Sequence, residues 1–440
     1  MIVFQKKTWM IFKLTLGIAG IGILFLLVTN SLITLGKNIP QPNLLWDYTI
    51  GLLWSIALGA SILIWPVPTK DKPALLSLWL IKLLVTLGFM LVFESYYSSL
   101  DSYYYFDTPR QPNFNWTEFK STDGTGNILR LVWLHYQFMP QSYHALKVTF
   151  AMIGLVAIYL FYRSAVLFLK REEISILYLL ALFPSILFWT SIIGKEPTAL
   201  LGIAIYTYGM IGWHQRKHWW YFFLLALGVT IGTFIRFWIG PILIIPVIVV
   251  FMLRRQKTFN KVTLIIVLGL AFCLAVFQIQ NFFNIASIQD LLMSLNTLSR
   301  LWNYGGSAQV INTDFTRIDQ LITFIPFGAF TALFRPLPGE VLNPFGLLAG
   351  LENLLLLFLL SLAALRTRWK DFQNPLVLWA TLLVLTWATV YSFISFQNLG
   401  AAVRFKLQIL PILLGLLLYL GRRRQIVLEH QSSLRTHESS

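Results

Sequence analysis

Long apolar stretches alternate in this sequence with short connections that are rich in lysine and arginine. An apolar stretch of about 20 residues can cross the ~30 Å hydrocarbon core of a bilayer as a helix, in which every backbone polar group is satisfied within the segment. Hydrophobic residues make up 57% of the 440 residues and charged residues only 12%, which is typical of polytopic membrane proteins and not of soluble globular ones. The pattern predicts an all-α fold with about twelve transmembrane helices. The expected spans are residues 9–34, 47–66, 74–97, 144–169, 174–193, 197–213, 219–235, 238–253, 262–280, 342–365, 375–396 and 405–421.

The basic connections predict the orientation of these spans. Lys6, Lys7 and Lys13 flank the first expected span on its N-terminal side. If that side is cytoplasmic, every other connection on the same side is also basic, as the positive-inside rule requires. Both termini are then cytoplasmic, residues 1–421 form a single transmembrane domain, and residues 422–440 form a cytoplasmic tail. We expect a multi-pass protein of the inner (plasma) membrane.

The net charge of +16 lies mostly in the connections assigned to the cytoplasm. The positive-inside rule and contact with anionic lipid headgroups account for this positive charge. We therefore predict membrane lipids, and no nucleic acid, as partners. The single cysteine, Cys273, excludes an intramolecular disulfide and a cysteine-based metal cluster. His214 and His218 are four residues apart but lie in a basic loop, and no metal site is predicted.

This orientation leaves two large external segments, at about residues 97–143 and 280–341, and we expect both to be partly helical. The first is rich in tyrosine and acidic side chains, including Asp101, Tyr104 and Asp107. Its aromatic side chains suit stacking against the apolar C–H faces of a sugar.

Two local patterns stand at the ends of the first external segment. Glu94 and Asp101 are seven residues apart, so they share one face of any helix that continues through both. The sequence STDGTG, Ser121–Gly126, is typical of a turn-rich loop.

The stretch Phe183–Pro197 ends an apolar span on an adjacent Lys195–Glu196 pair. Such a pair is costly at a membrane span unless it is paired or faces a water-accessible pocket. Gly194 and Pro197 are expected to break the helix on either side, which would leave backbone polar groups there free to face a cavity.

Arginines also occur at the external ends of the expected spans, against the positive-inside bias. They are Arg236, Arg335 and Arg404, and Glu340 follows Arg335 across a Pro-Leu-Pro-Gly turn. A guanidinium group binds phosphate oxygens in a bidentate fork. Together with Lys195, these side chains predict an external site for a polar substrate that carries phosphate.

Each of these residues also has a purely structural interpretation. Lys195 and Glu196 would then cap a helix end, and the tyrosines would belong to an interfacial aromatic belt. Arg236 and Arg404 would form ion pairs with Glu94 or Glu340. The acids Asp101 and Asp107 would be solvated loop residues.

Three stretches resemble short motifs of bacterial membrane proteins of polysaccharide assembly. They are PSILFWTSIIGKE at residues 184–196, LFRPLPGE at 333–340 and NLGAAVRFKLQILP at 398–411. The families concerned act on polyprenyl-phosphate- or diphosphate-linked sugars, namely repeat-unit polymerases of the O-antigen polymerase type and GT-C glycosyltransferases. The likeness covers roughly Glu94–Pro411 through these motifs alone. The first large external loop follows the third expected span here, whereas in the GT-C pattern it follows the first.

The resemblance implies transfer or polymerisation of sugars from a polyprenyl-(di)phosphate carrier at the external face. The implied catalytic residues are Asp101, Asp107 and Glu196, one of them as general base. The implied substrate-binding residues are Lys195, Arg236, Arg335, Arg404, Glu340 and Tyr104. A GT-C enzyme would add Mg²⁺ or Mn²⁺, whereas no cofactor is implied for a polymerase. Polysaccharide export or assembly proteins are further implied partners.

Two other classes remain open from the sequence. A flippase or other transporter of lipid-linked oligosaccharides would place its charges near the middle of the membrane. A structural scaffold of an assembly complex would pair its arginines internally and leave no pocket.

Overall fold

All the regular structure in the described part of this computed structural model is helical. The structure describes residues 29–120, 123–253, 269, 287–301, 303, 307–309, 311 and 313–422. Within these residues there are no strands, and a single isolated β-bridge joins Ala308 and Asn398. Residues 9–28 of the expected span 9–34 and the expected span at 262–280, apart from Gly269, lie outside the described residues, as does the tail from residue 423. The all-α prediction is confirmed for the described residues.

The chain divides into two compact units. The first comprises Met1–Ile244 and Gly269–Ser287, and the second comprises Ile245–Leu268 and Ile288–Ser440. The helices in the first segment of the first unit are α1 Leu44–Ser61, α2 Lys72–Leu83, α3 Met90–Tyr96, α4 Asp101–Asp107, α5 Gly124–Phe138, α6 Tyr143–Leu169, α7 Ile174–Leu182, α8 Pro184–Trp189, α9 Lys195–Arg216 and α10 Trp220–Ile235. Helix α11, Ile239–Leu253, begins in that unit and continues past its last residue there, Ile244. The later helices are α12 Ile288–Leu301, α13 Ile318–Phe334, α14 Pro344–Arg366, α15 Pro375–Tyr391, α16 Leu399–Lys406 and α17 Leu410–Leu420.

Several of these helices are long and apolar enough to cross a membrane. Among the described residues, four stretches qualify by themselves: Leu44–Ile64, Thr69–Tyr96, Tyr143–Leu169 and Pro344–Arg366. Helices α16 and α17 form a fifth if they are one span, although they are bent by 73° at their junction. Helices α10, α13 and α15, and most of α11, are shorter and apolar. The protein is therefore a membrane-embedded helical protein, and the count of twelve spans remains a prediction.

Two prolines near residue 190 have different effects on the helices. The expected span at 174–193 is in fact two short helices, because a residue before proline avoids helical geometry and Phe183 is extended at φ −62° and ψ 124°. The expected break at Pro197 was wrong. Pro197 lies in the first turn of α9, where its missing N–H has no intrahelical partner to lose.

The first external segment is also interrupted earlier than a continuous helix would be. Helix α3 ends at Tyr96, Tyr97 is extended, and α4 begins at Asp101. We expected Glu94 and Asp101 to share a helix face only if one helix continued through both. Because the helix is interrupted between them, they do not share a face. Helices α4, α5 and α12 confirm that the two segments at about 97–143 and 280–341 are partly helical, and their external position remains a prediction.

Helices α9 and α10 approach closely through glycines. A Cβ atom built on Gly228 would lie 2.4 Å from the Tyr206 amide nitrogen and 2.6 Å from the Gly202 carbonyl oxygen. Lipid tails are as apolar as leucine, so helix association in a membrane depends on van der Waals packing of this kind. This pair of helices holds the start of α9 beside the end of α10.

We expect Gly228→Ala to destabilise the protein by about 1–3 kcal/mol, because the added methyl group overpacks a backbone contact. Thermal unfolding of the purified protein in detergent micelles measures the effect. Gly415→Ala is the matched control, since a Cβ atom there meets nothing within 4 Å. An unchanged melting temperature for Gly228→Ala would show that the two helices are less closely packed than the structure indicates.

Candidate functional site

Three of the residues expected at the site lie together in the first unit. Helix α9 begins with Lys195 and Glu196, and α10 ends at Ile235, immediately before Arg236. The Arg236 guanidinium donates from Nη2 to Glu196 Oε1 at 3.0 Å, and both side chains are buried. Arg236 thus forms an ion pair, as the structural interpretation required, but with Glu196 and not with the acids considered for it.

The start of α5 completes this cluster. Asp123 caps the helix by accepting from the Thr125 amide at 2.9 Å. The Thr125 hydroxyl accepts from Lys195 Nζ at 2.8 Å, and Asn127 donates to the Phe234 carbonyl at 2.5 Å. A Cβ atom on Gly124 would lie 1.9 Å from the Ile235 carbonyl oxygen, so only glycine allows this approach.

The arrangement is electrostatically suited to an anion. The first N–H groups of a helix have no intrahelical acceptor and carry the positive end of the helix dipole. The N-termini of α5 and α9 both lie at this cluster, together with Lys195 and Arg236. Helix N-termini with nearby cations are the usual setting of bound phosphate groups. Glu196 fixes Arg236 in place. The Glu196 and Asp123 carboxylates balance the formal charges of Lys195 and Arg236, so the helix N-termini supply the remaining positive potential.

The contribution of α5 was not foreseen from the sequence. STDGTG was interpreted as a loop, yet Asp123 is a helix cap and Gly124–Asn127 is the first turn of a helix. The available signal was an Asp before a run that becomes apolar at Ile128, which is a typical helix start. Glycines in that first turn concealed it.

The aromatic run of the first external segment is mostly part of the protein interior. Tyr103, Tyr105 and Phe106 are buried, whereas Tyr104 is 51% exposed. Asp101 and Asp107 are exposed at the two ends of α4. Helix α4 packs against α5, so the two acids and the exposed tyrosine are carried by a helix that neighbours the cluster. A stacking role for Tyr104 and a base role for either acid stay predictions.

In the second unit, Arg335 is paired across its turn. Arg335 Nε donates to the two Glu340 carboxylate oxygens at 2.8 and 3.1 Å, and Nη2 donates to Gln309 Oε1 at 3.1 Å. Partial burial opposes ionisation of Glu340, but hydrogen bonds from Arg335 and from the Leu337 amide outweigh it and lower the pKa of that carboxyl. The pair stabilises the turn that follows α13.

Arg404 is half-buried on α16, two residues before the fully buried Lys406. Lys406 contacts Asn353 Oδ1 and lies 3.9 Å from Glu352 Oε1. The residues Arg335, Glu340 and Arg404 belong to the second unit, whereas Lys195, Glu196 and Arg236 belong to the first. Their convergence on one external site remains a prediction.

Sequence reasoning also missed several buried charges. Lys147 Nζ lies 2.8 Å from Glu94 Oε2, and the Tyr143 hydroxyl donates to Glu94 Oε1 at 2.7 Å. Glu94 therefore pairs with a lysine inside an expected span and not with an external arginine. Lys82 is likewise buried within an expected span. A lysine inside an apolar run was the signal for both residues, and it is a strong one in a membrane protein.

Comparison of the chain with protein-family models, with curated proteins and with solved structures finds no match. In the part of the chain that the structure describes, no three His, Cys, Asp or Glu side chains are grouped as metal ligands. The Mg²⁺ or Mn²⁺ ion thus remains an element of the GT-C hypothesis alone.

Arg236→Met should destabilise the protein by about 3–5 kcal/mol, because it leaves the Glu196 carboxylate buried without its guanidinium. Adding Glu196→Gln should recover a large part of that loss. Thermal unfolding in detergent measures both variants. Arg300→Met is the control, because its pair with Asp314 is exposed at 70% and 67% and should contribute less than about 1 kcal/mol. Equal losses in Arg236→Met and Arg300→Met would contradict this account.

The lowered pKa of Glu340 predicts a pH-dependent contribution to stability. The unfolded carboxyl titrates near 4.5, so the contribution is fully present above that pH and is lost as the pH falls through the lower folded value. The difference in melting temperature between the wild type and Glu340→Gln should be constant from neutral pH to about pH 5 and should shrink below that. A difference that does not change on acidification would show that the carboxylate form makes no special contribution.

Proposed function

We propose that this protein transfers or polymerises sugars from a polyprenyl-(di)phosphate carrier at the external membrane face, in the assembly of a cell-surface polysaccharide. The observation that supports this best is the cluster of Lys195, Arg236 and the N-termini of α5 and α9. It brings two basic side chains and two helix N-termini together at the ends of apolar helices, where a lipid-linked phosphate would lie. The inner membrane is the corresponding location.

The cluster suggests a division of roles. The bond from the sugar to the phosphate oxygen breaks, and the leaving (di)phosphate takes the electron pair. Lys195 and the helix N-termini stabilise that charge as it develops. The hydroxyl of the acceptor sugar forms the new glycosidic bond and gives its proton to a carboxylate base. Because Glu196 is buried against Arg236, Asp101 and Asp107 are the better candidates for that base.

Transport of a lipid-linked oligosaccharide is the second candidate, and specific features favour it. Lys82 lies near the middle of the span Thr69–Tyr96, and Lys406 is buried at the end of α16 in the bent α16–α17 pair. Ionisable side chains and interrupted helices within the membrane are typical of transport pathways. The two functions differ in whether a new glycosidic bond forms.

Lys195→Ala is the test of the proposed function. Purified wild-type protein in detergent should release polyprenyl (di)phosphate from a radiolabelled sugar carrier, and Lys195→Ala should lower the rate by about 10²–10³-fold, the usual loss for one donor to a developing anion. Lys120→Ala is the matched control, because Lys120 is an exposed lysine of the same external segment. It should keep the wild-type rate.

Two outcomes would contradict the proposal. A full rate in Lys195→Ala would exclude this cluster as the phosphate site. Wild-type protein that moves a fluorescent lipid-linked oligosaccharide between the leaflets of a vesicle, without forming any new glycosidic bond, would establish the transporter instead.

A further inference from the structure

Lys82 is a buried lysine at the middle of an apolar span. It is 2% exposed and lies 13 residues after the start of Thr69–Tyr96, or about 20 Å along the helix at ~1.5 Å per residue. Its Nζ atom contacts Thr190 Oγ1 and lies 3.3 Å from Ser191 Oγ. An isolated charge at this depth is strongly unfavourable unless something neutralises it.

Two other buried lysines, Lys147 and Lys406, have carboxylate partners, but among the described residues Lys82 has none. Lys147 lies beside Glu94, and Lys406 lies beside Glu352. Within the described ranges no carboxylate oxygen lies within 4.0 Å of Lys82 Nζ. Among the residues outside those ranges, only Glu429 and Glu438, both in the expected cytoplasmic tail, are acidic. The negative charge that would balance Lys82 is therefore not supplied by a neighbouring span.

The hydroxyl groups around Lys82 act as acceptors. The Thr190 hydroxyl donates its own hydrogen to the Ile186 carbonyl at 2.5 Å, and the Ser191 hydroxyl donates to the Leu187 carbonyl at 2.7 Å. Both can then only accept from Lys82. An ammonium group has three donors, so two are used on these hydroxyls and one is left for another acceptor.

A second unused donor lies one helical turn away. Thr86 is fully buried, and among the described residues its Oγ1 atom has no hydrogen-bond partner. The buried Thr190 and Thr207 donate to the carbonyl four residues earlier, at 2.5 and 2.7 Å, whereas the buried Thr198 shares the unpartnered state of Thr86 among the described residues. Thr86 lies in the π-helical segment Leu84–Phe89, and such segments often occur at functional sites. Residues spaced by four on a helix face the same side, so Thr86 and Lys82 point to one region.

We propose that Lys82 and Thr86 bind a small monovalent anion, such as chloride, inside the transmembrane helices. One negative charge neutralises the ammonium, and the remaining N–H and the Thr86 O–H supply its hydrogen bonds. A phosphate group would carry more charge than one lysine balances and would need more donors than the site provides. The lysine also holds the Thr190–Ser191 turn, which leads into α9 at Lys195, so a bound anion stabilises the approach to that helix.

Halide-dependent stability tests this site independently of sugar transfer. The melting temperature of the purified protein is measured in chloride and in gluconate at equal ionic strength and pH 7. The wild type should show a saturable rise in melting temperature with chloride and none with gluconate. The rise should be absent in Lys82→Met and reduced in Thr86→Val, whereas Lys120→Met, an exposed lysine variant, should retain it.

Bromide-soaked crystals give a second readout on the wild type, with an anomalous peak expected beside Lys82 Nζ. If Lys82→Met does not fold, Thr86→Val and the bromide peak decide the question. Equal effects of chloride and gluconate, a retained chloride effect in Lys82→Met, or no bromide beside Lys82 would each overturn the proposal. None of these results depends on whether the protein transfers sugars.

Discussion

A charge inside a low-dielectric environment destabilises a fold unless an opposite charge or hydrogen bonds accompany it. In this protein two such pairs join segments that are distant in the sequence. Glu94 on α3 is held by Lys147 on α6, and Glu196 on α9 is held by Arg236 at the end of α10. These pairs contribute little net free energy relative to apolar side chains of the same volume, but removing one partner is strongly unfavourable. They therefore specify the arrangement more than they stabilise it.

Breaks in the helices place polar groups in the protein interior near Lys82. Pro184 separates α7 from α8, and the Thr190–Ser191 hydroxyls that follow α8 lie beside Lys82. The π-helical segment Leu84–Phe89 leaves the Thr86 hydroxyl without a partner among the described residues. Irregular backbone at membrane depth is tolerated only where protein or a cavity surrounds it, so such breaks mark places where the interior is polar.

The candidate site depends on three segments that are far apart in sequence. The start of α5, the start of α9 and the end of α10 meet because Gly124 allows the Ile235 carbonyl to approach closely. Each segment alone has an ordinary interpretation as a helix cap or an ion pair. Their combination of two helix N-termini with Lys195 and Arg236 is what favours a phosphate-bearing substrate. The buried Lys82 adds a separate anion site deeper in the same unit.

The sequence by itself determined the helical membrane class, because hydropathy and charge are local properties of each segment. It also singled out Lys195, Glu196 and Arg236 as unusual, because their charges stand at the ends of apolar stretches. Only the tertiary structure decided the partners, since Arg236 and Glu196 are 40 residues apart and Lys82 and Thr190 are 108 apart. The hydrophobic periodicity of a segment indicates that it is helical. Which faces of two helices come into contact depends on how whole helices pack. The roles of Pro197 and of the STDGTG stretch were missed for the same reason, because a proline or a glycine near a helix end is compatible with either a break or a first turn until the neighbouring helices are in place.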